Sequence, residues 1–327
     1  MLAFALRRLL ISVPILIVST FVVFVMVSLS ANPLSPLISR NPPPPPRTIE
    51  LERIRLHLDQ PILERYWHWI TGIFSGDFGP SVQSNLNIGH EVFARFGVTL
   101  RLIVLAMVVA LILAVIIGVI SAARQYSKFD YTATFFGFLF LSMPAFWFAI
   151  VLKQVGISIN TAVGDQIFYT IGSSSVIASG SGFWNQFGDV LGHLILPTIS
   201  LALTSYAAWS RFQRASMLEV LNSDYVRLAR AKGLPRWTVT RRHALRNALI
   251  PLTTVTALDL GSILGGAVVT ETVFQWQGAG AFLLNGIKTS DVYAVEAWLL
   301  IAATFIILLN LIADLLYGLL DPRIRYA

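Results

Sequence analysis

The chain contains no cysteine. Disulfides and thiolate metal sites are thereby excluded, and nothing follows about compartment. Charge is also scarce: Asp, Glu, Lys and Arg make up 13% of the 327 residues, about half the share found in soluble domains. No Gly-x-x-x-x-Gly-Lys-Ser/Thr run occurs, so the chain has no phosphate-binding loop of its own. The alternating pattern of a membrane β-barrel is missing too. What is present is oil: 55% of residues are hydrophobic, in runs of about 20, the length a helix needs to cross a bilayer. The composition predicts an all-α polytopic membrane protein.

Six spans are predicted, at about 9–29, 98–120, 131–152, 190–209, 250–270 and 294–320. The first apolar run is longer than the roughly 7–15 residues of a secretory signal core, and is read as an uncleaved span. Between the first two spans, Pro42 to Pro46 reads as a stiff extended spacer. A helix is predicted over 48–58. A second, over 61–74, places Ile62, Tyr66, Ile70 and Phe74 on one face, with Trp67 and Trp69 suited to headgroup depth. Residues 76–81 read as a turn, 154–188 as a Gly/Ser-rich loop, and 271–293 as a loop. With six spans both ends lie on one side. That side carries 15 of the 24 Lys and Arg residues. The positive-inside rule makes it cytoplasmic. The net charge of +7 is therefore a topology signal, and a nucleic-acid partner is not implied.

The most unusual stretch is 224–251, with seven Lys or Arg and one acid. Asn222, Ser223 and Asp224 are N-cap residues. Gly233 falls where a helix ends in a left-handed residue, and Pro235 has the φ of a first helical position. The segment reads as helix, Gly-Leu corner, helix. Charge alone would hold such a loop at an anionic membrane surface, at about 1 kcal/mol per basic residue. That does not explain the corner, nor the small residues Ala229, Ala231 and Gly233, which would let another protein's backbone come close. His243, beside Arg241 and Arg242, has no second ligand at helical spacing and reads as a docking or structural residue rather than a metal ligand. Asp259 and Asp314 fall inside predicted spans, where carboxylates are functional suspects. Asp259 either lines a path or pairs with a neighbouring helix. Gly261 and Gly265 form a GxxxG-type pair that permits close packing, within the chain or against a partner. Pro144 and Pro197 kink their helices.

The runs A-R-A-K-G-L-P and R-R-H-A-L-R-N-A-L-I-P resemble the EAA loop of ABC-importer permeases in its dipeptide/oligopeptide form. Gly233 matches the motif glycine, and Arg227, Leu228 and Ala229 stand where Glu-Ala-Ala stands in the general pattern. Gly76 to Ser81, Ser142 to Trp147, His193 to Pro197, Glu271 to Phe274, and Asn310, Asp314, Leu315, Tyr317 and Asp321 to Tyr326 resemble the same branch. Gln277 and Ser290 depart from it. The resemblance implies a type I ABC-importer permease fold with six transmembrane helices, amphipathic external helices and a cytoplasmic coupling helix. Residues 1–30 would be the N-terminal segment and first span, 31–97 the external loop, and 98–327 the permease core with a coupling loop at 211–249. Tyr225, Arg227, Ala229, Arg230, Ala231, Lys232, Gly233, Leu234, Pro235 and His243 would touch an ATPase. Phe146, Trp147 and Asp259 would line the path, and Gly261 and Gly265 would pack on the partner permease.

The partners implied are a homologous second permease, two cytoplasmic ABC ATPase subunits or domains, an external substrate-binding protein, a peptide substrate and membrane lipid, in a prokaryotic plasma membrane. No cofactor is implied in this chain; ATP and Mg would sit on the ATPases. Dipeptides, oligopeptides, glutathione and nickel chelates are all cargo of such relatives. The competing expectation is a self-contained proton- or ion-coupled carrier using Asp259. It calls for charge chains or inverted repeats, which the sequence lacks.

Overall fold

A computed structural model describes residues 2–30, 32–83, 85–175 and 182–320, without the side chains of 2–5 and 313–320. Asp314, Tyr317 and the 321–326 motif lie outside the described side chains. All regular structure among the described residues is helical: α1 Leu2–Ser30, α2 Ser35–Ile38, α3 Pro46–Arg55, α4 Ile62–Gly72, a 3-10 turn Ile73–Ser75, α5 Ile88–Ala123, α6 Lys128–Ser142, α7 Ala145–Val163, α8 Phe183–Leu221, α9 Asp224–Ala231, α10 Arg236–Thr238, a π-helical stretch Val239–Leu245, α11 Arg246–Leu258, α12 Leu260–Phe274, α13 Ala279–Lys288 and α14 Val292–Leu320. Among the described residues, α1, α5, α7, α8 and α14 are long and apolar enough to cross a membrane. A sixth span forms if the bent pair Arg236–Leu258 and Leu260–Phe274 counts as one.

Several boundaries differ from the sequence expectation, each for a local reason. Pro46 opens α3 rather than ending a spacer, because a proline satisfies the first helical position. The predicted third span is two helices, α6 and α7, broken at Met143–Pro144, where extended backbone replaces the helix. α7 then runs on through residues expected to be loop, ending at left-handed Gly164. Most of the 271–293 loop is likewise helix, in α12 and α13. α8 is 39 residues long and extends well past the expected end of the fourth span. Arg211 and Arg214 therefore sit on its side, not in a loop.

The described residues divide into two compact units, one within 3–99 and 277–307, the other within 100–276 and 308–320. In the former, α4 turns Arg65, Tyr66 and Trp69 inward. Trp69 packs with Phe24 and Tyr66 and is buried, so it is a core residue and not the headgroup anchor expected of it; Trp67 is the exposed one. The Arg65 guanidinium lies over the rings of Phe24 and Tyr293. The turn at 76–83 is held by Asp291, whose carboxylate accepts from the Ser81 hydroxyl and the Val82 N–H while also capping α14 at Ala294.

In the other unit α8 is the central post, against which α6, α7, α11 and α12 pack. α5 reaches it closely: a Cβ on Gly118 would come 2.9 Å from Gln213 Cβ. One ion pair locks the ends of these helices. Arg214 on α8 donates through Nε and Nη2, both at 2.7 Å, to the two oxygens of Asp130 on α6. Ser121 on α5 and the Tyr126 N–H donate to the same carboxylate. The Arg214 guanidinium is the main reason the Asp130 carboxyl is held well below the usual carboxylate range.

Two outcomes follow. A carboxylate lowered in the folded state contributes stability above its unfolded pKa, which is lost only as pH falls through the folded value. The clamp's contribution is thus constant between about pH 5 and pH 8. Asp130→Asn, which strands the guanidinium, costs on the order of 3 kcal/mol, read as a lowered unfolding temperature of the detergent-solubilised chain. Gly79 has φ +84°, and a Cβ there would lie 2.6 Å from Tyr293 Cδ1. Gly79→Ala therefore destabilises by at least about 1 kcal/mol in the same assay.

Candidate functional site

The basic segment singled out in the sequence forms a knuckle between α8 and the bent span. Ser223 has the extended backbone of an N-cap (φ −71°, ψ 154°) but its side chain does not cap α9. Its hydroxyl instead donates back to the Val220 carbonyl at 2.6 Å, and Asn222 Nδ2 donates to Leu218 O. α9 closes with the Gly233 N–H bonded to Arg230 O at 3.0 Å and with Gly233 at φ +78°. No atom lies within 4 Å of a Cβ built on Gly233, so the backbone angle, and not crowding, is what calls for glycine there. Pro235 is the residue before α10, with extended ψ 145°, one position earlier than expected. From Arg236 the helix continues without a stop through the π-helical stretch to Leu258. The second arm of the knuckle is therefore the start of the fifth span itself.

The two faces of α9 differ in kind. Val226 and Ala229 point inward and join Ala122, Met217, Val239, Ala244 and Ala248 in one buried cluster. Alanine at four of these seven positions lets α9 lie close over the ends of α5, α8 and α11. Ala229, 5% exposed, is therefore not available to a partner's backbone. The sequence expectation seats a partner's backbone on this small residue; the helices packed there are the chain's own. The outer face carries Tyr225 (44% exposed) and Leu228 (57%), with Leu234 at the corner and Trp237 (69%) in the adjoining α10. Around them stand exposed Arg227, Arg230, Ala231, Lys232 and Arg236. The Asn247 side chain donates to the Tyr225 hydroxyl at 3.0 Å, tying α9 to α11. Arg227 and Asp224 approach to 3.2 Å on open surface, a contact of little energetic weight. His243 is half-buried in the π-helical stretch. Among the described residues no group of three or more His, Cys, Asp or Glu could hold a metal.

The remaining residues separate. Asp259 lies at the bend between α11 and α12 and accepts from Trp209 Nε1 at 2.7 Å, which places it against a neighbouring helix. Phe146 and Trp147 are exposed in the first turn of α7. Gly261 and Gly265 are exposed on one face of α12, with open space around a Cβ at Gly265; packing inside the unit does not use that face. An apolar groove of about 510 Å³ lies between α5, α11 and α14. Its hydroxyls, Thr253 and Thr256, bond to carbonyls of their own helix, so it holds no free group for the charged ends of a peptide.

Sequence reasoning missed Trp237 and Trp209, although an aromatic in a basic knuckle was the available signal for the first. It also passed over Glu296, which is fully buried in α14 with neither side-chain oxygen hydrogen-bonded among the described residues.

Comparison with known proteins bears on the whole chain. The family model for the inner membrane component of binding-protein-dependent transport systems matches residues 114–326, and the N-terminal model of such membrane components matches residues 1–102. The chain is 39% identical over 319 residues to the oligopeptide transport system permease protein OppB of Mycobacterium tuberculosis, covering 98% of each. It is 38% identical over 338 residues to the dipeptide transport system permease protein DppB of Escherichia coli strain K12, covering 100% of this chain and 99% of the relative. It is 36% identical over 328 residues to the oligopeptide transport system permease protein AppB of Bacillus subtilis, covering all of both. With both halves matched and relatives aligned end to end, the chain belongs to the family of inner membrane components of binding-protein-dependent transport systems.

Proposed function

We propose that the chain is the permease subunit of an ATP-driven peptide importer, forming half of the translocation path and taking its power stroke from separate ATPases through the knuckle. The observation that carries this is the two-faced α9. An apolar, aromatic surface ringed by cations is held rigidly against α5, α8 and α11, and fits a protein partner better than a lipid surface. Energy transfer needs such rigidity, since a loosely held loop would absorb the movement. The peptide class of substrate is supported by the names of the relatives.

In this reading the N-terminus, the knuckle and the C-terminus are cytoplasmic, as the charge bias requires. Two ATPase subunits or domains, carrying the ATP and Mg, dock on this permease and on a homologous one. Closure of the ATPase pair moves the knuckles together and opens the path outward to an external binding protein; hydrolysis returns it. The exposed Gly261–Gly265 face of α12 is where the second permease packs. The ion-coupled carrier built on Asp259 gains no support: that carboxylate is held by an indole, and the relatives are permease subunits of transport systems.

Truncating a central aromatic anchor at such an interface costs about 2 kcal/mol or more. Trp237→Ala and Leu228→Ala should each weaken ATPase co-purification by roughly 30-fold and abolish ATP-dependent peptide uptake, with insertion unchanged. Arg227→Ala, at the open rim, should change affinity little. Undiminished ATPase binding by the Trp237→Ala, Leu228→Ala double variant would sink the proposal.

A further inference from the structure

The fifth span is bent by 54° between α11 and α12, with Asp259 the single residue between them. Sharp bends have identifiable causes, and one of the usual ones, a Gly-Ser pair, follows the break at Gly261 and Ser262. Pro251 lies two turns earlier, and Gly261 is already inside α12. On either side the backbone bonds meet at Asp259: its N–H bonds to Val255 O and its carbonyl accepts the Ile263 N–H, both at 3.0 Å. What marks the position is the Asp259 side chain, drawn to Trp209 on α8 by a 2.7 Å bond from the indole N–H. The indole has only this one donor, and Trp209 is fully buried. No ion pair engages Asp259 among the described residues.

The two partners sit on mechanically connected parts. Trp209 lies five residues before Arg214, the residue clamped to Asp130, and eight before Met217, which packs under α9. Asp259 ends the continuous arm Arg236–Leu258, roughly 35 Å long, whose other end is the knuckle. Beyond Asp259, α12 packs on α7 and α8, and Lys153 Nζ on α7 donates to Val273 O at its far end. A bent helix without a fixed elbow would flex at the bend and lose the movement of the arm.

We infer that the Trp209–Asp259 hydrogen bond is a positioning device: it fixes the elbow of the fifth span, so that displacement of the knuckle is passed to α12 instead of being absorbed at the break. The inference rests on the importer reading above. What matters is acceptance of the indole N–H, and not the negative charge, so an amide oxygen at 259 should serve as well.

The absence of cysteine allows paired spin labels to be introduced at exposed Arg246 and Val269, on either side of the bend. In the isolated chain, the label distance should be single and narrow for wild type and for Asp259→Asn. It should broaden for Trp209→Phe, which keeps a ring but no donor, and for Asp259→Ala. In vesicles with the partner ATPases and binding protein, Trp209→Phe should keep ATP hydrolysis but lose about tenfold in peptide imported per ATP, and Asp259→Asn should stay near wild type. A narrow distance in Trp209→Phe overturns the elbow. So does loss of import in Asp259→Asn with none in Trp209→Phe, which would assign Asp259 to a charge role in the path. If wild type itself shows no ATP-coupled import, the importer reading fails, and the label distances still decide the elbow.

Discussion

The close approach of α9 to the ends of α5, α8 and α11 is the contact on which the rest of this end of the molecule depends. Ala122, Ala229, Ala244 and Ala248 remove the side-chain bulk that would hold four helices apart, and Val226, Met217 and Val239 fill what remains. Burial of that cluster gives a short helix of eight residues, too short to be stable alone, a fixed place. Once α9 is fixed inward, its outward residues are fixed as well. Leu228 and Tyr225 face solvent because Val226 and Ala229 cannot. The proposed docking surface is therefore a consequence of the packing behind it.

The few polar groups within this oily chain are arranged as fasteners between helices. Asp130 takes Arg214, Ser121 and a backbone N–H; Asp259 takes the Trp209 indole; Lys153 caps the carbonyl end of α12; Asp291 holds the 76–83 turn while capping α14. Each places a hydrogen bond where apolar contacts alone would let helices slide, since hydrocarbon on one side of a helix is as good as on another. In the 100–276 unit these fasteners run along α8, which joins the knuckle's support, the Asp130 clamp and the elbow of the fifth span on one rigid helix.

Much of this was legible in the sequence. Span number, the helix–corner–helix knuckle and the left-handed Gly233 follow from run length and punctuation, which are local. The faces of the helices were not legible, because they depend on what lies opposite. Ala229 reads equally well as a surface for a partner and as a seat for the chain's own α11. Trp69 reads as a headgroup anchor until Phe24 is found beside it. Helix ends were also missed: α7, α8 and α12 continue through polar or Gly-containing residues because tertiary packing overrides weak stop signals. The pairing of Trp209 with Asp259, 50 residues apart, leaves no trace in spacing.

The central claim is that α9 shows its Leu228 face to an ATPase while Ala229 is held by the chain itself. Leu228→Cys and Ala229→Cys, each the sole thiol in the chain, allow this to be read by maleimide labelling with and without the partner ATPase. The account predicts rapid labelling of Leu228→Cys that is suppressed when the ATPase is added, and no labelling of Ala229→Cys in either condition. Labelling of Ala229→Cys that the ATPase blocks, with Leu228→Cys indifferent to it, would contradict the account.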